Sequence, residues 1–154
     1  MRQTDMMDLP FPVPTADSAG FWINTATGRL AIQQCKDCQA YQFPPLETCR
    51  LCNGTLQWTP ISGRGRVYTF IVQEHVISPV FASHCPYAIA LVAPDEAPHV
   101  RIPGRVEGDP AHVKIGDRVQ ALITASGDGE RCFPVFDHEE NAKDSHQPIL
   151  DDKI

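Results

Sequence analysis

Four cysteines in the first third of the chain constrain its fold more than any other feature. They form two Cys-x-x-Cys pairs, Cys35 with Cys38 and Cys49 with Cys52, and ten residues separate the two pairs. A tight turn at each pair points two sulfurs the same way, so two such turns can surround one Zn²⁺ with four thiolates at about 2.3 Å. Because four protein ligands leave no open coordination position, the spacing predicts a structural zinc site rather than a catalytic one.

Two other uses of such pairs fit the sequence less well. A redox dithiol needs one pair and normally stands near a βαβ pattern, whereas neither pair here opens a helical pattern. A disulfide framework belongs to small secreted chains, and the first residues carry Asp5 and Asp8 but no apolar signal core. We therefore expect a cytoplasmic protein with reduced cysteines and a four-thiolate site, with zinc as the ion and iron as the alternative.

The composition is that of an ordinary globular protein, but the charge is uneven. The 154 residues are 42% hydrophobic, and no run reaches the roughly 18 apolar residues of a membrane span. The formal net charge is -6, of which residues 137–154 carry -4 from six acids and two lysines. Residues 29–66 carry only +3, so the sequence lacks the strong basic stripe of a dedicated nucleic-acid binder.

Short runs rich in β-branched and aromatic residues predict a mostly β chain. Within the metal segment, strands are expected at residues 30–33 and 41–45, which gives the alternation of strand and turn typical of a ribbon. After it, several short strands separated by Gly and Pro turns, with almost no helical periodicity, indicate a small barrel. These later strands are expected to begin near Leu56, Arg66, Pro86, His99, Gly116 and Cys132.

A short helix is expected before the ribbon, over residues 15–25, with Thr15 as its N-cap. Phe21, Trp22 and Ile23 form an apolar cluster there that is too large to leave in water. A short helix has little stability without a surface to pack on. That surface is either the chain's own ribbon or a partner protein, and the sequence leaves both open.

The sequence contains no recognisable catalytic constellation, so we predict no catalytic residue. Cys85 follows His84, which is weak evidence for an activated thiol, and Cys132 is expected to be a small core residue. The stretch from Ser62 to Arg66 is not a phosphate loop, because no Lys-Ser/Thr and helix follow it. The six histidines are scattered at loop and strand ends, at His75, His84, His99, His112, His138 and His146.

Several motifs follow one another in the order found in one protein family. They are, in chain order, Phe21-Trp22, Gly28-x-Leu30, Gln34-Cys-x-x-Cys38, Tyr41-x-Phe-Pro-Pro45, Cys49-x-x-Cys52, Trp58, Ser62-Gly-Arg-Gly-Arg-Val-Tyr-Thr-Phe70 and Ile115-Gly-Asp-Arg-Val119. Over residues 17–137 the chain resembles the zinc-ribbon OB-fold proteins associated with acyl-CoA metabolism. The ribbon alone occurs in many families, whereas its combination with the last two motifs is much more specific.

The resemblance implies a short N-terminal helical segment, a rubredoxin-like zinc ribbon and a C-terminal OB-fold barrel. The composition adds an irregular lead before the helical segment and an acidic tail that is disordered or ordered by a partner. The four parts are then residues 1–28 (lead and helical segment), 29–56 (ribbon), 57–137 (barrel) and 138–154 (tail).

The resemblance also implies a role. Family members are commonly non-catalytic partners of thiolase-like acyl-CoA enzymes in thiolysis, acyl transfer or aldol cleavage, and the partner supplies the catalytic residues. The small protein would stabilise the hetero-oligomer and help to shape its channel for CoA or acyl-CoA. Phe21 and Trp22 are then candidates for the partner interface. Arg64 and Arg66 are candidates for contacts with CoA phosphates, the alternative being two solvated arginines at the barrel rim.

Two other functions stay open at this point. Ribbons and OB barrels also bind single-stranded nucleic acid, and Tyr68 and Phe70 could then stack on bases, although the charge is poor for this role. A free-standing enzyme acting on acyl-CoA ranks last, because the sequence offers no catalytic group for it.

Overall fold

The fold is mostly β, which confirms the predicted class. The computed structural model describes residues 12–125 and 132–142. In chain order the elements are α1 (Ala19–Ala26), β1 (Ala31–Cys35), β2 (Tyr41–Gln42), β3 (Leu56–Pro60), β4 (Arg64–Gln73), β5 (Tyr87–Pro94), β6 (Ile102–Val106), β7 (Arg118–Ala125), β8 (Cys132–His138) and α2 (Glu139–Ala142). Single 3-10 turns, Pro79–Phe81 and Pro110–His112, lie in two of the connections.

The metal segment folds as a three-stranded antiparallel sheet in the order β2-β1-β3. β1 and β3 pair along their whole length, from Ala31 opposite Pro60 to Cys35 opposite Leu56. β2 has only two residues because two prolines follow Phe43, and proline has no N–H to donate to a ladder. β3 crosses the boundary expected after residue 56 and carries the ribbon sheet on to Pro60.

The other strands close a five-stranded barrel in the order β4-β5-β6-β8-β7, and β7 pairs back onto β4. Neighbouring strands are antiparallel except β6 and β8, which run parallel where Val106 lies opposite Phe136. Along β5 the buried side chains of Ala88, Ala90 and Val92 alternate with outward ones. These small inward residues let the five strands close tightly, as an OB-fold requires.

One predicted barrel strand is displaced along the chain. The sequence placed a strand at residues 99–103, but β6 begins at Ile102. The residues before it turn instead, because the N–H of Ala97 donates to the carbonyl of Pro94 (3.1 Å) and the N–H of Val100 donates to the carbonyl of Ala97 (2.9 Å).

The start of the predicted acidic tail is ordered. Asp137 and His138 complete β8, and Glu139 begins α2. The Glu139 carboxylate lies 3.1 Å from Nε of Arg118 on β7, which holds the short helix against the barrel. The prediction of a tail that is disordered or ordered by a partner is therefore wrong for residues 138–142, and the rest of the tail, residues 143–154, lies outside the described residues.

The first helix begins four residues later than predicted. The carbonyl of Thr15 accepts the N–H groups of Ser18 (3.1 Å) and Ala19 (2.9 Å), so the chain makes a turn before α1. The N-cap position falls on Ser18, whose side chain makes no capping hydrogen bond. The prediction of Thr15 as the N-cap is therefore wrong.

Helix α1 lies in the corner between the ribbon and the barrel. Its side chains Phe21 and Thr25 are buried. The Phe21 ring meets Phe43 of the ribbon edge-on, with 5.9 Å between ring centroids. The Thr25 hydroxyl donates to the carbonyl of Cys132 on β8 at 3.0 Å. The helix thus contacts both units and joins them.

Gly20 lets α1 approach the ribbon closely. A Cβ at this position would overlap the indole Nε1 and Cε2 of Trp58, a half-buried β3 residue that packs against the core. We expect Gly20→Ala to lower the free energy of unfolding by about 1–3 kcal/mol through overpacking. This sign is opposite to helix propensity, which favours alanine over glycine by about 1 kcal/mol. Denaturant unfolding of the two proteins measures the difference.

The double variant Gly20→Ala with Trp58→Leu is the control for that contact. Removal of the indole makes room for the added methyl group, so the two losses of stability should be less than additive. A Gly20→Ala protein as stable as the wild type would contradict the close approach.

Candidate functional site

The four ribbon cysteines converge on one point. Their sulfurs all lie within 4.8 Å of one another, with 3.5 Å between Cys35 and Cys52 and 3.6 Å between Cys38 and Cys49. Four sulfurs at 2.3 Å from zinc would stand about 3.8 Å apart in an ideal tetrahedron. The donor set therefore fits a tetrahedral zinc ion. Within the described residues it is also the single cluster of three or more His, Cys, Asp or Glu side chains close enough to hold a metal.

The two turns that carry the cysteines have the same local geometry. In each, the N–H of the residue after the pair donates to the carbonyl of the first cysteine, Gln39 to Cys35 (3.1 Å) and Asn53 to Cys49 (2.9 Å). Both donor residues have a positive φ, 61° for Gln39 and 62° for Asn53. Backbone N–H groups also point at sulfur, from Asp37 to Cys35 and from Leu51 to Cys49, each at 3.4 Å. These donors stabilise thiolate charge.

Two buried glutamines position the second turn. The side-chain carbonyl of Gln33 accepts the N–H of Leu46 (2.9 Å) and the side-chain amide of Gln42 (3.1 Å). Gln42 in turn accepts the N–H of Arg50, directly after Cys49, at 3.0 Å. Sequence reasoning missed this pair. The available signal is a glutamine in each of two neighbouring ribbon strands, and the two residues lie opposite each other in the register of β1 and β2.

The thiols influence one another strongly. Backbone N–H groups of Cys52 and Leu51 lower the pKa of Cys49 to about 7. The N–H of Gly54 lowers the pKa of Cys52, but hydrogen bonds with the thiols of Cys35 and Cys38 outweigh it and raise that pKa to about 12. Crowded thiols thus compete for negative charge, and a divalent cation relieves the competition because it binds all four as thiolates. The ion would cross-link the two turns.

Arg64 and Arg66 lie together on the outer face of β4, where they alternate with buried Gly65 and Val67. Nε of Arg64 is 3.9 Å from the carboxylate of Glu139, and Nη1 of Arg66 donates to the carbonyl of Gly116 at 3.2 Å. Both side chains are exposed at the barrel surface.

The neighbouring Arg118 is neutralised more completely. It makes two hydrogen bonds to Asp95, at 2.6 and 2.8 Å, and a third to Glu139 at 3.1 Å. The hydrogen bonding from Arg118 lowers the pKa of Asp95, and the same bond raises the pKa of Arg118. The acids of this cluster are therefore engaged chiefly by Arg118, which leaves Arg64 and Arg66 with the weaker contacts.

The two residues predicted for a partner interface have different environments. Phe21 is only 6% exposed and belongs to the core, so of the two surfaces that the sequence left open, Phe21 packs on its own chain. Trp22 is half-buried, and its ring meets Phe21 edge-on at 5.0 Å. An apolar cavity of about 300 Å³ lies beside both rings. Its lining includes Phe43 and Pro45 from the ribbon and Phe133 and Pro134 from the barrel.

The remaining cysteines and histidines that the structure describes have separate environments. The Cys85 thiol donates to the main-chain carbonyl of His75 (3.8 Å), and Cys132 is half-buried. The His84 ring is buried, and Nδ1 has no hydrogen-bond partner among the described residues. His138 lies 3.8 Å from the carboxylate of Asp117. His146 lies outside the described residues.

Tyr68 and Phe70, the two candidates for base stacking, do not form one platform. Tyr68 is 55% exposed, and the guanidinium of Arg101 covers its ring at 3.7 Å from the centroid. Phe70 is half-buried and packs against the core.

Among the described helices, none is long and apolar enough to cross a bilayer.

We expect Cys49→Ser to lose bound zinc and most of its soluble yield, because a three-thiolate ribbon no longer closes the site. Metal analysis of the purified protein should fall from about one zinc per chain to none. Cys85→Ser is the matched control, since this thiol lies outside the cluster, and it should keep its zinc. A metal-free Cys49→Ser protein with the stability of the wild type would contradict a structural role.

Curated relatives match most of this chain. A probable enoyl-CoA hydratase alpha subunit of Thermomonospora curvata is 35% identical over 130 residues, which cover 82% of this chain and 39% of the relative. A DUF35 domain-containing scaffold protein of Methanocaldococcus jannaschii is 37% identical over 93 residues, 58% of this chain and 64% of the relative. This chain thus spans less than two thirds of the length of either relative.

A solved structure matches more completely. A chain of the Ltp2-ChsH2(DUF35) aldolase superposes with a TM-score of 0.74 at 30% sequence identity, over 83% of this chain and 98% of that chain. Two family models match in succession: the ChsH2 rubredoxin-like zinc ribbon domain over residues 25–59 and the ChsH2 C-terminal OB-fold domain over residues 58–124. The order of ribbon and barrel is therefore that of the family, and the chain belongs to the ChsH2 (DUF35) family of zinc-ribbon OB-fold proteins.

Proposed function

We propose that this chain is a non-catalytic accessory subunit that binds and stabilises a thiolase-like acyl-CoA enzyme. The observation that carries the proposal is the match to almost the whole length of a chain in the Ltp2-ChsH2(DUF35) aldolase. An aldolase that includes a ChsH2 chain agrees with the aldol cleavage implied by the family resemblance. The scaffold and alpha-subunit names of the curated relatives also fit a component of a larger assembly.

The chemistry of the described residues supports an accessory role. Four cysteines fill the coordination sphere of a tetrahedral metal, so a bound zinc ion would have no position for substrate. A thiol nucleophile needs a nearby base, and the Cys85 thiol instead donates to a main-chain carbonyl. We assign the reaction to the partner chain and structural zinc to this one. Reduced thiolate ligands fit a cytoplasmic location.

The finer proposal concerns CoA. Arg66 contacts a single backbone carbonyl and Arg64 a carboxylate at 3.9 Å, so both guanidiniums keep donors for an incoming phosphate. Arg118 is less available, because Asp95 and Glu139 occupy it. We propose that Arg64 and Arg66 border the CoA channel of the assembled enzyme and contact CoA phosphates there.

The direct test is co-expression of this chain with the thiolase-like protein of the same organism. We expect the two to co-elute in size-exclusion chromatography and turnover of acyl-CoA to require the complex. The isolated chain should show no turnover. A thiolase-like protein that is equally stable and active without this chain, or turnover by this chain alone, would overturn the proposal.

In the complex, Arg66→Ala should raise KM for acyl-CoA about tenfold, the effect of losing one charge-assisted hydrogen bond, while kcat stays within about twofold because the contact is far from the reacting atoms. Steady-state kinetics measure both. Arg29→Ala is the matched control, an exposed arginine outside the barrel. Equal KM values for the wild type and Arg66→Ala would remove the proposed phosphate contact and leave the accessory role untouched.

A further inference from the structure

Part of the outer face of β4, β5 and β6, beyond Arg64 and Arg66, carries apolar side chains where a solvated sheet face normally carries polar ones. Ile71 on β4 lies opposite Ile89 on β5, and Leu91 on β5 lies opposite Pro103 on β6. Ile71 is 61% exposed, and Ile89 and Leu91 are each 36% exposed. Their buried neighbours Ala88, Ala90 and Val92 already fill the barrel side of β5. The outward side chains therefore add nothing to the core.

A β-bulge extends this apolar strip, which we define as Tyr68, Ile71, Ile89 and Leu91. The register of β4 against β5 shifts between Val67 and Thr69, at Tyr68. The bulge turns the Tyr68 ring to the outer face, where 55% of the residue is exposed. Apolar and aromatic side chains grouped on one exposed face are characteristic of a protein interface rather than of free surface.

Two arginines border the strip on the β6 side. The Arg101 guanidinium lies 3.7 Å from the centroid of the Tyr68 ring and donates to the carbonyls of Pro98 (2.6 Å) and Val100 (2.7 Å). Within the part of the chain that the structure describes, no ion pair to a carboxylate is formed by Arg101. Arg105 lies opposite Ile89 in the register, and its guanidinium is 5.6 Å from the Tyr87 ring centroid. The Arg105 guanidinium also lies 3.9 Å from the carboxylate of Glu107, so among the described residues Arg101 is the arginine at this border whose charge faces a ring without a carboxylate beside it.

The charge of this surface is opposite in sign to the net charge of the chain. β4, β5 and β6 contain three arginines and no Asp or Glu, although the whole chain has a formal charge of -6. The acids nearest in sequence, Glu74, Asp95 and Glu107, stand just beyond the strand ends. A surface that would complement this face is therefore apolar in the middle and acidic at its border.

We propose that the apolar strip with Arg101 is the surface on which the thiolase-like partner docks, and that the partner presents an apolar stripe bordered by Asp or Glu side chains. This docking proposal rests on the proposed accessory role and identifies the surface of the chain that would contact the partner. A second copy of this chain is a poorer occupant, because the same face on a symmetry-related copy brings arginines and no carboxylate from its strands.

The test compares Ile71→Glu with Ile115→Glu. Both replace a highly exposed isoleucine, but Ile115 lies in the connection before β7, outside the strip. Dissociation constants are measured against the thiolase-like protein that co-elutes with the wild-type chain. Ile71→Glu should weaken binding at least about 30-fold, the loss typical of an interface hot spot, and Ile115→Glu less than about threefold. Equal zinc content and melting temperature confirm that both variants are folded.

A second variant tests the acidic border. Arg101→Glu should slow association and reverse its salt dependence, so that added salt no longer weakens binding. Unchanged affinity for both Ile71→Glu and Arg101→Glu, with wild-type binding intact, would overturn this interface but not the accessory role. Absence of any wild-type complex would instead refute the proposed function.

Other occupants give different results and would also overturn the inference. A wild-type dimer that Ile71→Glu dissociates, seen by light scattering with unchanged partner affinity, would assign the strip to self-association. Flotation of the wild-type chain with phosphatidylglycerol vesicles, lost in Ile71→Glu while partner affinity is kept, would assign it to a lipid surface.

Discussion

Convergence of the four cysteine sulfurs is the interaction on which the ribbon depends. Its sheet has one strand of two residues and two of five, too little to bury a core of its own. Pairing of Cys35 with Leu56 closes the loop that carries both cysteine turns, and a bound metal would cross-link the two turns inside that loop. The buried Gln33 and Gln42 act with the metal, because they fix the backbone that leads into the second turn.

The ribbon, α1 and the barrel form one packed unit with a shared hydrophobic core, not three independent domains. Phe21 of α1 shares a core with residues of β1 and of the barrel strands. The close fit of Gly20 under Trp58 sets the distance between helix and ribbon. A partner bound to the barrel would therefore hold the metal site in a defined position relative to itself.

The sequence was sufficient where the deciding signal is local, and insufficient where it is tertiary. Cys-x-x-Cys spacing, prolines and β-branched runs identified the metal site, the fold class and most strands. Burial of Phe21 depends on its contact with Phe43, and the ordering of Glu139 depends on Arg118. Both partners are about 20 residues away in the chain, so the sequence around Phe21 or Glu139 does not reveal either contact. The polar pair Gln33 and Gln42 was missed because its hydrogen bonds are to the backbone of Leu46 and Arg50, which only the folded ribbon brings close.

The hydrogen bond from Thr25 to Cys132 has a consequence for biosynthesis. The two residues stand 107 positions apart, so the ribosome releases Thr25 long before its acceptor exists. An eight-residue helix is marginal in water by itself. The two cysteine turns can take up their metal while the barrel is still being translated, but α1 gains its full set of contacts only after β8 emerges. Completion of the C-terminal strand is thus the step that seats the N-terminal helix.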